Sequence, residues 1–249
     1  MGVHRYLHAS RWNWWTKTSL DPVVASFNTL SGTNLVPIQN MVSSIKAAGF
    51  WDKLTDIYPF AGLTIASQAV NLKTPGTNSI TFKTGGTYGV GGMTPSGVPV
   101  AEDNMLSTPP LMIAANRSFS CGAYYSNTVP RADSLSIKLN SGNGVYHVYS
   151  DGNVYPEIYG LNQGLNFVLG ASKMVSLSTV GGSQSIYSAG ALTGSAAIVG
   201  NNGADGVSAS IGSNNISTFS VAFFGYNLSN SEQATMYSIC DAYNSSMGR

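Results

Sequence analysis

The sequence predicts an all-β sandwich closed by a C-terminal helix, and three observations predict it. From residue 76 onward, short runs rich in β-branched and aromatic residues alternate with Gly, Asn and Asp turn signals at near-regular spacing, the pattern of a sandwich rather than of strands interleaved with helices. The last of these runs passes into one amphipathic helix, the only long helical pattern after residue 60. Charged residues make up 9% of the chain, against about 25% in an ordinary soluble domain. Ser, Thr, Asn and 28 glycines take the polar positions instead, so the surface is one of hydroxyls and amides on strands and turns. With 43% hydrophobic and 10% aromatic residues, the chain has ample material for a core, and the low charge does not signal disorder. One large domain with an arm is the expected organisation, since all-β domains often exceed 200 residues.

Residues 1–36 show no steady period and read as an N-terminal arm. Trp12, Trp14 and Trp15 crowd there beside Arg5, Arg11 and Lys17. An apolar cluster of this kind marks a contact surface, which serves either the arm's own sandwich or a partner subunit, so these three tryptophans are the anchoring candidates. His4 and His8 are four apart but have no third ligand nearby in the sequence, and no metal is expected from them. Pro37 suits a first helical position; Ile38, Met41, Val42 and Ile45 follow at helical spacing, and Gly49 supplies the stop, giving a lead-in helix over 37–49. Phe50, Trp51 and Leu54 then turn the chain into a first strand region at 57–60.

The β region follows, over residues 76–225. Ile80, Thr81 and Phe82 alternate, and Gly85, Gly86, Gly89, Gly91 and Gly92 punctuate what reads as a long loop. No Lys-Ser/Thr pair or βαβ pattern accompanies these glycines, so phosphate binding is not expected. Residues 116–129 read as a buried strand with Phe119, Cys121 and Ala123 on one side. Segments 135–139 and 145–149 flank a hairpin turn at 140–144; further reversals fall at Asp151-Gly152 and Gly181-Gly182, the latter joining 174–180 to 184–187. Residues 197–199 and 207–211 complete the set. In 219–225, Phe219, Val221 and Phe223 alternate with Ser220, Ala222 and Phe224, which suits a strand with one face fully buried and the other partly covered.

Ser229 and Glu232 stand at capping-box spacing, where the hydroxyl accepts from a first-turn amide and the carboxylate reaches back to the cap's own N–H. A helix over 229–247 is therefore expected. Met236, Ile239, Cys240, Tyr243 and Met247 form one apolar stripe along it, for docking onto a sheet.

The same residues carry a family resemblance. Ala222-Phe-Phe-Gly225, the Leu228-Ser-Asn-Ser-Glu232 helix start, aromatics at Tyr237 and Tyr243, and the Met247-Gly-Arg249 finish resemble the C-terminal signature of LamG-like, concanavalin A-like jelly-roll proteins encoded by bacteriophages and prophages. Residues 42–58 are similar to the short helical segment such proteins place before their first core strand. The resemblance implies a jelly-roll domain over 37–249. It also implies a non-enzymatic virion protein, assembled in the host cytoplasm, that serves as a head or tail fibre, a decoration protein or a receptor-binding module for host attachment. Its expected partners are other virion proteins, a host-surface glycan or receptor, and further copies of itself.

Glycan hydrolysis needs two carboxylates about 5 to 9 Å apart in a groove, but the eleven acids are scattered and form no strand-borne pair. There is no G-x-S-x-G elbow, and His147 sits in a tyrosine-rich strand. No catalytic residue, cofactor or metal site is expected; Asn201, Asn202, Asp205 and Asn214 could be gathered by loops around calcium, but a turn explains them equally. A net charge of +1 provides no field for nucleic acid. No run approaches the ~20 apolar residues of a membrane span, and the N-terminus does not read as a secretory leader. Cys121 and Cys240 fall on apolar positions, where free thiols behave as small hydrophobes, with a strand-to-helix bridge as the alternative. Beside virion display stands a lectin-like adhesion role, with Tyr146, Tyr149, Tyr155 and Tyr159 as stacking platforms for sugar rings. Cross-strand packing would use the same tyrosines differently.

Overall fold

A computed structural model describes residues 19–32, 35–82, 86–95, 106–110, 119–126, 136–139, 144–148, 153–155, 167–168, 173–197, 208–211 and 218–249. Helix α1 (Pro22–Ser31) and helix α2 (Leu35–Ala47) come first, and a 3-10 turn at Trp51–Lys53 leads into β1 (Leu54–Tyr58) and the one-turn helix α3 (Ile65–Gln68). The strands β2 (Thr81–Phe82), β3 (Gly86–Gly89), β4 (Gly92–Pro95), β5 (Leu106–Pro110), β6 (Ser120–Tyr125), β7 (Ser136–Leu139), β8 (Gly144–Val148) and β9 (Asn153–Tyr155) follow. The chain then runs through β10 (Phe167–Val168), β11 (Met174–Val180), β12 (Ser183–Ser188), β13 (Ala191–Ala197), β14 (Ser208–Ile211) and β15 (Phe219–Gly225) to helix α4 (Asn230–Ser246). These strands form the two antiparallel sheets of a jelly-roll sandwich. One runs β13-β12-β11-β6-β15-β4-β3, with β1 also on β15; the other runs β10-β9-β8-β7-β14-β5-β2.

β15 is the centre of the first sheet. It pairs with β6 along one side, and on the other it shares its length between β1 and, at Phe219, β4. All seven of its residues are buried, which corrects the expectation of one partly covered face. Val221 and Phe223 lie in a core with Ile38, Met41, Val42 and Ile45 of α2 and Met236, Ile239, Cys240 and Tyr243 of α4. Phe224, on the opposite face, meets Tyr58 edge to face at 6.4 Å between ring centroids. The Phe223 ring lies across β6 at Gly122, where any Cβ would stand 2.5 Å from its Cζ. Only a glycine leaves that ring its place.

The last helix follows the sequence closely. Ser229 is the N-cap, its hydroxyl accepting from the Glu232 amide while the Glu232 carboxylate accepts from the Ser229 amide. Met236, Ile239, Cys240 and Tyr243 are buried, and Met247 packs against the core. Tyr243 also donates its hydroxyl to the Pro59 carbonyl at 2.9 Å, tying the helix to the end of β1. The Gly181-Gly182 reversal has positive φ at both residues, 55° and 83°, as a two-residue hairpin between β11 and β12 requires. Cys121 and Cys240 are both free and buried.

Four further expectations differ from what is found. Residues 22–31, assigned to the arm, form α1: Asp21 caps it by accepting from the Val23 amide, Pro22 stands in its first turn, and Val24 and Phe27 are buried in the core. The lead-in helix begins at Leu35 rather than Pro37, and Pro37 falls within the first turn, where a missing N–H is harmless. The glycine-rich stretch read as a long loop contains the β3–β4 hairpin. Residues 191–197, given no strand of their own, form β13, paired with β12 throughout.

Candidate functional site

Among the described residues, the clearest concavity lies between the two long helices of the helical layer. α2 and α4 each turn an apolar face to the first sheet, and their shoulders carry small residues, Ser44 on one and Ser238 and Ala242 on the other. These small side chains do not fill the space between the shoulders, which leaves a groove of about 240 Å³ lined also by Met41, Ile239 and Tyr243. Its rim is Asn40, Ser44, Thr235, Ser238 and Ser246, and no lining residue carries a formal charge. Thr235 and Ser238 donate to carbonyls one turn back, at 2.8 and 3.1 Å, so their oxygens face outward as acceptors. The groove has an apolar floor and a rim of hydroxyls and one amide, and none of its lining residues is a carboxylate, histidine, cysteine, lysine or arginine.

The described carboxylates all have structural partners. Asp21 meets Lys46 at 2.6 Å, Glu232 meets Lys53 at 2.8 Å, and Asp52 lies 3.8 Å from Lys73. Asp241 accepts from the Tyr124 hydroxyl at 2.5 Å, with the Tyr124 ring stacked on Tyr237. Asp56 is buried and accepts from Asn71 Nδ2 at 2.5 Å. Burial pushes the Asp56 carboxyl above the usual range, and hydrogen bonds to it only partly offset that. Burial raises the Glu232 carboxyl too, but the Lys53 hydrogen bond and the Ser229 contacts outweigh it and hold the group below its ordinary value. Burial likewise pushes the Cys121 and Cys240 thiols far up, which leaves neither fit as a nucleophile. No cluster of three or more His, Cys, Asp or Glu occurs among the described residues. No helix is long and apolar enough to cross a membrane among those residues either.

Two of the tyrosines proposed from sequence, Tyr146 and Tyr155, lie in the second sheet. Tyr146 falls on β8 opposite Ile137 of β7, and Tyr155 falls on β9 opposite His147 of β8. Tyr149 and Tyr159 lie outside the described residues, as do Trp12, Trp14 and Trp15, both N-terminal histidines and the four residues weighed for calcium. The helical groove was not anticipated. Its signal was the run of serines on the solvent side of two amphipathic helices, which by itself reads as ordinary surface.

No family model matches the chain. No curated protein matches it either. Solved structures do resemble it. A Trypanosoma rangeli sialidase in complex with 2,3-difluorosialic acid superposes with a TM-score of 0.54 at 14% identity, over 82% of this chain and 38% of that one. The binding domain of botulinum neurotoxin serotype D gives 0.55 at 12% identity, over 76% of this chain and 52% of that one. The serotype D ligand binding domain in complex with N-acetylneuraminic acid gives 0.50 at 13%. The likeness is one of fold. The chain spans 38% of the sialidase and 52% of the toxin domains, well under two thirds of either.

Proposed function

We propose that this chain is a non-enzymatic, lectin-like adhesion module that recognises a glycan on a host surface. The observation that carries the reading is the jelly-roll sandwich itself, which is similar over 80% of the chain to a domain described in complex with N-acetylneuraminic acid. The surface chemistry supports it: Ser, Thr and Asn supply hydroxyls and amides where other chains carry charge, and these groups suit the hydroxyls of a glycan. Tyr146, Tyr149, Tyr155 and Tyr159 are the proposed stacking residues. A glycan array that includes sialylated oligosaccharides tests the reading. Binding weakened at least tenfold by Tyr155→Ala or Tyr146→Ala is expected, and no binding at millimolar ligand overturns it.

The proposed setting is a virion surface, on the resemblance carried by 222–249, with Trp12, Trp14 and Trp15 as anchors to other virion proteins. Removing residues 1–18 spares helix α1, so the truncated chain is expected to fold yet fail to join particles. Mass analysis of purified particles reads the outcome. A truncated chain that is incorporated normally removes the anchoring role, and absence of the full chain from particles removes the setting.

A further inference from the structure

The two sheets end in very different edges. In the second sheet the outermost strands, β10 and β2, are two residues long. In the first sheet, the outer side of β1 is closed by its own chain: the Ile57 amide donates to Asn71 Oδ1 at 3.1 Å, and the Ile57 carbonyl accepts from the Leu72 amide at 2.7 Å. β3, at the far end, is four residues long. Short strands and covering segments are the ordinary defences of a sheet edge. β13 has neither. It is seven residues long, terminal in its sheet and mostly exposed, and no described segment hydrogen-bonds to its outer side.

It also lacks the chemical defences. Between Lys173 and Asp205 the chain contains no charged residue and no proline, and Leu192 is 48% exposed at the start of the strand. One bulge interrupts the β12 pairing between Ile186 and Tyr187, and Gly194–Ala197 continues in regular register beyond it. A strand edge offers its free N–H and C=O groups to another strand and to little else. We propose that β13 is a homodimerisation edge, pairing antiparallel with β13 of a second copy across a two-fold axis near Ser195.

Charge selects that occupant. A partner carrying charge would find no opposite charge on this edge, whereas two copies bring no like charges together, and the chain's net charge of +1 opposes self-association only weakly. An isologous pairing also closes on itself instead of propagating into fibres. With Ser195 on the axis, the facing pairs are Ser195 with Ser195, Gly194 with Ala196, and Thr193 with Ala197. All are small, and hydroxyl pairs of this kind support cross-strand contact. The joined sheet would carry the helical layers of both copies on the same face and present two adhesion surfaces, which raises the avidity of weak binding. The dimer does not depend on the glycan reading, and either can fail alone.

The test uses the full chain in sedimentation velocity over a range of concentrations. The wild type is expected to dimerise reversibly, with β13 amides gaining hydrogen-exchange protection as concentration rises. The double variant S195K/A197K changes two exposed positions and sets like charges against each other. Its dimer dissociation constant should rise at least tenfold with an unchanged thermal transition, as should that of S195E/A197E. Mixing the two variants should restore a dimer. A monomeric wild type, a lysine variant that dimerises as well as the wild type, or β13 protection that ignores concentration would each overturn the proposal.

Discussion

β15 and β13 are strands of equal length in the same sheet, yet one is its most enclosed element and the other its most open. Phe219–Gly225 is buried at all seven positions, between the helical layer on one face and Tyr58 with its neighbours on the other. Ala191–Ala197 touches one strand and has five exposed positions. The comparison separates two jobs a strand can do. An enclosed strand specifies the fold through large side chains that fit one arrangement, as Phe223 fits over Gly122. An open strand contributes little to stability through its side chains, and its backbone is left available for recognition.

That contrast can be broken or sharpened by substitution. Phe223→Ala removes a wholly buried ring from the contact between sheet and helices and should cost about 3–5 kcal/mol, read by urea unfolding. If it costs no more than a surface change, the helical layer is not packed on β15. Gly92→Ala comes next: φ is +117° there and a Cβ would stand 2.0 Å from the Phe219 carbonyl oxygen. Backbone cannot yield as a side chain can, and a loss of about 1–3 kcal/mol with weakened protection of the β4 amides is expected.

Ser229→Ala deletes the cap of the helix that covers β15 and should cost about 1 kcal/mol, with fraying confined to the first turn of α4. Glu232→Gln probes the same cap by pH. The folded-state value of Glu232 lies below its ordinary one, so its contribution is present above about pH 4 and is lost as pH falls through the folded value. Thermal unfolding of wild type and variant should therefore differ near neutral pH and converge on acidification. At the open edge, Leu192→Ala should change stability by less than about 0.5 kcal/mol; a core-sized loss would mean that β13 is covered after all.

How much of this was legible in the sequence depended on whether the cause was local. The α4 cap, its stripe and the Gly181-Gly182 turn were readable because each depends on residues within a few positions of one another. Helix α1 carried local signals too, an Asp-Pro start at 21–22 and Gly32 after its last turn. Its apolar face is narrow, with Val24 and Phe27 as its buried apolar residues, so no periodic stripe marks the helix in the sequence. β13 had no signal to read: small residues exposed on both faces have no period, and only pairing with β12 makes them a strand. The groove between α2 and α4 was illegible for a related reason, since its two walls are separated by nearly the whole chain.

By itself the sequence determined the class of the molecule: a β-rich chain with few charges and a capped terminal helix, consequences of composition or of contacts within one turn or hairpin. Tertiary structure alone decided which strands are central and which are edges, that α1 belongs to the core, and that two helix shoulders enclose a groove. The reason is that burial is a property of neighbours. The same extended backbone is a core element beside β6 and a recognition edge beyond β12, and distant segments of the chain choose between the two.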